Sequence, residues 1–163
     1  MAKNKEEKTN VMRVLEQKKI AYTPHSYPHE EGVAVDGVTV AQSMGFDPAI
    51  VFKTLVARGA SKQYYVFDVP VAENLDLKKA AKAVGEKSIE MIHQKELLPL
   101  TGYVHGGCSP VGMKKLFLTV FHSSAENLAA MIVSAGKIGY QVELSPRDLA
   151  ALVRAKFADI IVE

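Results

Sequence analysis

Apolar residues recur with helical period at several places along the chain. Those from Val11 to Leu15 are spaced by three and four residues, which predicts an amphipathic helix that begins at a cap at residue 9 or 10 and runs to about Lys19. A second such run follows Asp76 and ends at Gly85, a residue type that commonly closes helices. Three shorter helices are predicted, over 39–44, 94–98 and 146–153.

Runs rich in β-branched and aromatic residues predict the strands. VFKTLVA from Val51 and QYYVFDVP from Gln63 flank a short polar turn, which is typical of a β-hairpin, and we expect it at the centre of the sheet. Residues 20–27 predict an edge strand or an extended arm, because Pro24 and Pro28 cannot donate to a ladder. Further strands are predicted over 116–121, 129–133, 140–144 and 157–162.

Helices and strands therefore mix without the regular alternation of a doubly wound fold. No internal repeat or Ser/Gly-rich linker divides the chain. A length of 163 residues suits one compact domain, since it can bury most of a single core. We expect one α+β domain over residues 1–163.

Composition and charge narrow the class of protein. Hydrophobic residues make up 48% and charged residues 23%, which argues against disorder. The polar start of the chain and the lack of an apolar run near the roughly 20 residues of a membrane helix argue against secretion and membrane insertion. Cys108 is the only cysteine, which excludes an intramolecular disulfide and fits a reducing cytoplasm.

The charge balance also limits the partners. Twenty Lys and Arg against 18 Asp and Glu give a net charge of +2, which is not the dense positive surface that grips duplex DNA. Any nucleic-acid partner is therefore expected to be held locally. A metal site is not expected, because Pro24 and Pro28 keep His25 and His29 from sharing a helical face.

Lys53 is the most unusual residue of the predicted strands. Strand alternation places it with Leu55 on one face, and Phe52 and Thr54 on the other. Lysines are rarely buried without a partner, so two alternatives remain open: an anion-binding pocket, or an edge where the side-chain stem reaches water. The first alternative predicts a phosphate or carboxylate held by Lys53, with the Thr54 hydroxyl or backbone N–H groups nearby.

Two turns of small residues are further candidates. GGCSPVG over 106–112 allows close approach of backbone N–H groups to a ligand, but it lacks the lysine that a P-loop needs directly after its second glycine. SAGKIG over 134–139 follows a predicted buried strand, and its S-x-x-K spacing lacks the partner motifs of penicillin-binding enzymes. Cys108 is interpreted as a small buried thiol and not as a nucleophile.

Four segments taken together resemble the YbaK/EbsC family, and the resemblance extends over almost the whole chain. They are VFKTL around Lys53, LDLKKAAKAVG over 75–85, TGYVHGGCSPVGMKK over 101–115 and VSAGKIG over 133–139. This family is related to the editing domain inserted in bacterial prolyl-tRNA synthetases. Within it, the chain is most similar to the branch that deacylates Cys-tRNA(Pro).

The resemblance implies a fold and an activity. The fold is a compact α+β domain with a mixed, partly closed sheet surrounded by helices. The activity is trans-editing: hydrolysis of the ester between a misattached amino acid and the 3′-terminal adenosine of proline tRNA, with no metal or organic cofactor. The modest net charge of +2 suggests that a partner reads tRNA identity, and we expect this partner to be prolyl-tRNA synthetase and the location to be the cytoplasm.

The family pattern also maps onto particular residues of this chain. Lys53 is the residue most closely tied to activity and is expected to hold the RNA 3′ end without attacking the ester. The residues implied to bind substrate around it are Tyr27, Thr54, Gly106, Gly107, Ser134 and Gly136. Backbone donors from the glycine turns are candidates to stabilise the oxyanion that develops as the ester is attacked.

Two positions depart from the family pattern. Ala135 stands where relatives have glycine, and Gln141 stands where the Cys-specific enzymes carry an acidic residue. Ala135 is expected to add a methyl group beside the pocket, and Gln141 to change how an ammonium or hydroxyl is held. These departures leave open a deacylase for another amino acid such as alanine, or a non-catalytic adaptor that binds a tRNA end or a synthetase. A third alternative, a small-molecule hydrolase, keeps the pocket without an RNA partner.

Overall fold

A computed structural model describes residues 8–163, and the polar residues 1–7 of the expected domain lie outside the described residues. Five helices, each of eight residues, are described: α1 Asn10–Gln17, α2 Gly37–Met44, α3 Leu77–Val84, α4 Gln94–Thr101 and α5 Pro146–Val153. The strands of the same part of the chain are β1 Tyr22–Ser26, β2 Phe52–Gly59, β3 Tyr64–Pro70, β4 Ile89–Met91, β5 Leu118–His122, β6 Met131–Ser134, β7 Tyr140–Leu144 and β8 Lys156–Ala158. The α+β class is thereby confirmed.

The strands form two open sheets, so the expectation of one partly closed sheet is wrong in this detail. The smaller sheet has the order β1-β7-β6 and the larger one β4-β2-β3-β5-β8. The larger sheet is mixed, as expected, since β2 runs antiparallel to β3 and β4 whereas β5 runs parallel to β3 and β8. A single bridge between Val51 and Ile132 joins the sheets at the start of β2 and thereby places the two sheets side by side at this point.

The β2–β3 hairpin occupies the middle of the larger sheet, as the sequence predicted. Its register pairs Lys53 with Val69 and Thr54 with Asp68. The predicted alternation is also found: Leu55 packs into one apolar cluster with Phe67, whereas Phe52 belongs to another cluster on the opposite face. The hairpin therefore carries side chains into two separate parts of the core.

Local capping explains why the helices begin and end where they do. The Thr9 side chain accepts a hydrogen bond from the Met12 N–H and begins α1. Asp36 does the same for α2 through the Thr39 N–H, at 3.1 Å, so this helix begins two residues before the predicted start. Gly85 adopts a φ of 76° and closes α3, a conformation that side chains with a Cβ rarely adopt.

Other elements differ modestly from the expectation. The helix predicted over 94–98 continues to Thr101, although Pro99 lies in its last turn. The strand β4 was missed, because its three residues are too few for a period to appear. The edge position of β1 is confirmed, since it pairs only with β7 among the strands of residues 8–163. No helix in this part of the chain is both long and apolar enough to cross a membrane.

The cap of α3 provides a test of how local signals stabilise this fold. Asp76 Oδ1 accepts hydrogen bonds from the N–H groups of Lys78 at 2.9 Å and Lys79 at 3.0 Å. We expect Asp76→Ala to lower the free energy of unfolding by about 1 kcal/mol, because both N–H groups lose their acceptor. Asp76→Ser retains a cap and should lose only a small part of that stability in urea denaturation. Equal stabilities of both variants and the wild type would contradict this role.

Candidate active site

A cavity of about 550 Å³ opens where the two sheets meet. Its walls come from the start of β2, the segment that leads into α2, the glycine loop that follows α4, and the adjoining ends of β6 and β7. Of the residues implied to form the site, five line this cavity: Tyr27, Lys53, Thr54, Gly106 and Ser134. Residues that are far apart in sequence are thus brought together by the fold.

Lys53 lies in the cavity wall and is half-buried. Within residues 8–163 it forms no ion pair, although the carboxylates of Asp36 and Glu73 act on it from a greater distance. Burial lowers the pKa of Lys53, and the two carboxylates only partly oppose this effect. A partly desolvated ammonium without an ion-pair partner is suited to bind an anionic or strongly polar group in the cavity.

Thr54 lines the cavity and is held by a buried carboxyl group. Its Oγ1 donates to Asp68 Oδ1 over 2.5 Å, across the β2–β3 pair. Asp68 has no solvent exposure, and its Oδ2 has no hydrogen-bond partner among the described residues. Burial raises the pKa of Asp68 to about 7, and the hydrogen bond from Thr54 partly opposes this rise.

Cys108 also lines the cavity, but its environment does not suit a nucleophile. Only 8% of the residue is exposed. Burial, with a smaller contribution from the charge of Asp68, raises the pKa of the Cys108 thiol to about 12. The thiol is therefore protonated at neutral pH, and a protonated thiol is a weak nucleophile. This agrees with the interpretation of Cys108 as a small buried thiol.

The turn after β6 places Ser134 at the cavity. Ser134 Oγ accepts a hydrogen bond from the Gly136 N–H over 3.1 Å, which ties the turn together. Gly136 itself does not line the cavity; a Cβ at this position would lie 3.0 Å from the Tyr103 ring and from Val11. With a φ of 93°, Gly136 thus shapes the turn that presents Ser134.

The two glycines of the other turn differ in their positions. Gly106 lines the cavity, and its N–H has no hydrogen-bond partner among the described residues. Gly107 lies behind it, donates to the Val104 carbonyl over 3.0 Å and packs against the backbone of Ile138. Among the glycines proposed as oxyanion donors, Gly106 is therefore the one that lines the cavity and whose N–H is not already bonded to another described residue.

Ala135 does not lie where the sequence suggested. It is fully buried in the cluster that contains Val11 and Val133, and it does not line the cavity. The expectation that it adds a methyl group beside the pocket is therefore wrong, because the turn directs this side chain into the core. Gln141 does line the cavity, and its Oε1 is buried without a hydrogen-bond partner among the described residues.

Some of the functional surroundings were missed in the sequence. Asp68 was not singled out, although a carboxyl group within the apolar run YYVFDVP is itself a signal that an acidic side chain is buried. Tyr140, Leu97 and His105 also line the cavity; Tyr140 and Leu97 lie outside the four motifs, and His105 lies within one of them but was not singled out. Among residues 8–163, no group of three or more His, Cys, Asp or Glu side chains is arranged to hold a metal ion.

This arrangement is that of a ligand-binding α+β domain: a preformed cavity with apolar walls and a few polar groups, among them a lysine that forms no ion pair within residues 8–163. The model of the aminoacyl-tRNA editing domain matches residues 32–152. The chain belongs to this family, as its four motifs indicated.

Known relatives and structures support the assignment. The chain is 45% identical over 161 residues to EbsC of Enterococcus faecalis, to which Cys-tRNA(Pro)/Cys-tRNA(Cys) deacylase activity is ascribed, and the match covers 98% of each chain. A solved structure ascribed to a trans-editing enzyme for prolyl-tRNA synthetase has a TM-score of 0.79 at 24% identity, over 94% of this chain and 95% of its own. A structure solved as that of a hypothetical protein has a TM-score of 0.82 at 20% identity, and the match covers 93% of this chain and 99% of that one. At such identities the structural matches define the fold alone.

Proposed function

We propose that this protein is an aminoacyl-tRNA deacylase that hydrolyses the ester between a misattached amino acid and the 3′-terminal ribose, acting in trans on Cys-tRNA(Pro). Membership of the editing-domain family and the 45% identity to a protein with ascribed Cys-tRNA deacylase activity support this function. The observation that carries it is Lys53, a half-buried ammonium without an ion-pair partner among residues 8–163, in the wall of a cavity.

We assign a different role in substrate binding or catalysis to each group around the cavity. Lys53 binds a phosphate or ribose oxygen of the RNA end and holds the ester in place. Tyr27 and Ser134 orient the sugar or the aminoacyl group, and Gly106, which lines the cavity, is the candidate backbone donor to the oxyanion. Gly107 and Gly136 support these groups by shaping the turns, since their own N–H groups already donate elsewhere.

The attacking group is not supplied by the protein. Cys108 is protonated at neutral pH, and the pKa of Asp68 is raised to about 7 in a position without solvent exposure. In the Cys-specific branch that the chain resembles, the thiol of the substrate attacks its own carbonyl: the C–S bond forms as the ester C–O bond breaks, and the ribose 3′ oxygen leaves with the thiol proton. Water then opens the resulting thiolactone to give free cysteine. The cavity then needs only to position the ester and stabilise the developing charge, and the groups described here can do both.

Gln141 is placed to influence which amino acid is accepted. Gln141 lines the cavity, and its buried Oε1 is an acceptor without a partner among the described residues. A donor on the substrate, such as the aminoacyl ammonium, would satisfy it. We therefore propose that Gln141 takes the acceptor role of the acidic residue found at this position in the Cys-specific branch, without its charge.

The partners follow from the same proposal. The tRNA end is the substrate, and prolyl-tRNA synthetase supplies recognition of proline tRNA, because the net charge of +2 offers little non-specific grip on RNA. The cytoplasm, where both are found, is the proposed location. A gel-shift assay with tRNA and synthetase, alone and together, tests for the ternary complex.

A panel of misacylated tRNAs tests the function directly. We expect the purified protein to release cysteine from Cys-tRNA(Pro) faster than alanine from Ala-tRNA(Pro), and to leave Pro-tRNA(Pro) intact. Binding of the RNA should weaken as salt rises, because contacts with phosphates release counterions. If every substrate stays intact while the RNA end binds, the protein is an adaptor. Salt-independent turnover of simple esters would instead indicate a small-molecule hydrolase.

A further inference from the structure

The carboxyl group of Asp68 lies where burial opposes folding. It lies in β3, the middle strand of the larger sheet, with no solvent exposure and no ion pair with any cation of residues 8–163. Burying a carboxyl group costs free energy unless its oxygens are satisfied, and Oδ2 has no partner among the described residues. An apolar residue at this position would stabilise the fold more than the carboxyl group does. The presence of Asp68 therefore has to be explained by something other than stability.

The contact of Asp68 that leads to the active site is its hydrogen bond with Thr54. Asp68, Val56 and Val66 share one face of the hairpin, and on that face the Thr54 hydroxyl donates to Oδ1 over 2.5 Å. Thr54 is β-branched and therefore stiff about χ1, so this bond determines both its rotamer and the direction of its proton. The lone pairs of the hydroxyl are left to accept from a group in the cavity, which Thr54 lines.

We propose that Asp68 is a positioning residue of the deacylase site: it holds the Thr54 hydroxyl as an acceptor for a hydrogen-bond donor of the aminoacyl-adenosine end, either a ribose hydroxyl or the ammonium group. This inference rests on the proposed function for the identity of the ligand. It assigns a role to a side chain that does not itself line the cavity.

The ionisation of Asp68 adds a pH dependence to this arrangement. An ionised carboxylate can only accept and keeps Thr54 as the donor, whereas a protonated carboxyl group can donate to the Thr54 oxygen and compete with the substrate for it. Burial raises the pKa of Asp68 to about 7. The groups that face it are the Thr54 hydroxyl from β2 and the Cys108 thiol from the glycine loop, which is protonated at neutral pH.

The test compares Asp68→Asn, Thr54→Val and the double variant with the wild type. We expect each single variant to lower kcat/KM for Cys-tRNA(Pro) by about 10- to 100-fold, and the double variant to lose no more than Thr54→Val alone, because both changes act on one interaction. Asp68→Asn replaces the charged acceptor with a neutral amide that can also turn its NH2 group towards Thr54, and Thr54→Val removes the hydroxyl. Thr54→Ser keeps the hydroxyl and should recover most of the activity. The pH profile of the wild type should contain a step near pH 7 that is absent from Asp68→Asn and Thr54→Val.

Tyr65→Phe is the matched control. It removes a hydrogen bond of the same length, 2.5 Å, between Tyr65 and Glu86, from the same strand but on the face turned away from Thr54. This variant should keep the wild-type kcat/KM and the step in the pH profile. Circular dichroism and thermal unfolding verify that each variant is folded, and if Asp68→Asn does not fold, Thr54→Val and Thr54→Ser still test the bond.

A binding measurement separates this inference from the proposed function. Calorimetry with an adenosine that carries cysteine in a non-hydrolysable amide linkage at its 3′ position requires no turnover. Weaker binding by Asp68→Asn and Thr54→Val supports the positioning role even if the wild type leaves every misacylated tRNA intact. Wild-type affinity, kcat/KM and pH profile in both Asp68→Asn and Asp68→Val, which removes the acceptor altogether, would overturn it, whatever the activity of the protein.

Discussion

Lys53→Ala is expected to lower kcat/KM for Cys-tRNA(Pro) by about 100- to 1,000-fold. The ammonium is half-buried in the cavity wall and forms no ion pair with a carboxylate of residues 8–163, so its charge remains available to the substrate. Removing one preorganised donor from such a partly desolvated site typically costs this much. Single-turnover deacylation with labelled cysteine measures the loss.

Two further variants separate the charge from the packing. Lys53→Met keeps most of the apolar stem and removes the ammonium, so we expect it to be as inactive as Lys53→Ala. It should fold at least as well as the wild type, because burial already opposes the charged form and lowers the pKa of Lys53. Lys87→Ala, at an exposed position, controls for a general loss of positive charge. Wild-type activity in Lys53→Met would remove Lys53 from the proposed mechanism.

The helices could be predicted because their signals are local. Asp76 and Gly85 bound α3 at the predicted residues, since a cap and a left-handed glycine act within one turn of the helix. The β2–β3 hairpin was predictable for a similar reason: its two apolar runs are joined by a short polar turn.

The division into two sheets could not be predicted in this way. It depends on β1 pairing with β7, for example Tyr22 with Leu144, and such distant pairs leave no periodic signal in a single sequence. The resemblance identified the family, but the single partly closed sheet that it implied is not found. Side-chain direction posed the same difficulty at Ala135, which the turn after β6 directs into the core.

The site was predicted in part, because some of its residues stand out by type or composition and others only by their position in the fold. Lys53 stands out because a lysine is unusual in an apolar strand, and the glycine turns stand out by composition. Only the three-dimensional structure distinguishes Gly106, whose N–H has no partner among residues 8–163, from Gly107, whose N–H donates within the turn. The role of Asp68 depends on the register of the hairpin, which places it opposite Thr54 and is not visible in the local sequence.

Asp68 also predicts how the stability of the fold depends on pH. Burial raises its pKa in the folded protein from the ordinary value of 3.8 to about 7, so between these values the folded protein holds a proton that the unfolded chain has released. The wild type therefore loses stability as pH rises from about 4 to about 7, and the full cost is present above that range. In Asp68→Asn this cost is absent.

The advantage of Asp68→Asn over the wild type should accordingly grow with pH. The rise in the pKa of Asp68 corresponds to on the order of 4 kcal/mol in the free energy of unfolding between about pH 4 and about pH 8. Urea denaturation at a series of pH values measures it, and Asp68→Val, which also lacks the titrating group, should show the same pH dependence at a different absolute stability. A difference from the wild type that stays constant with pH would mean that Asp68 is ionised throughout.

The two opposed effects that we expect of Asp68→Asn, greater stability and lower kcat/KM, have one physical cause. The same buried carboxylate that costs stability holds the Thr54 hydroxyl towards the substrate.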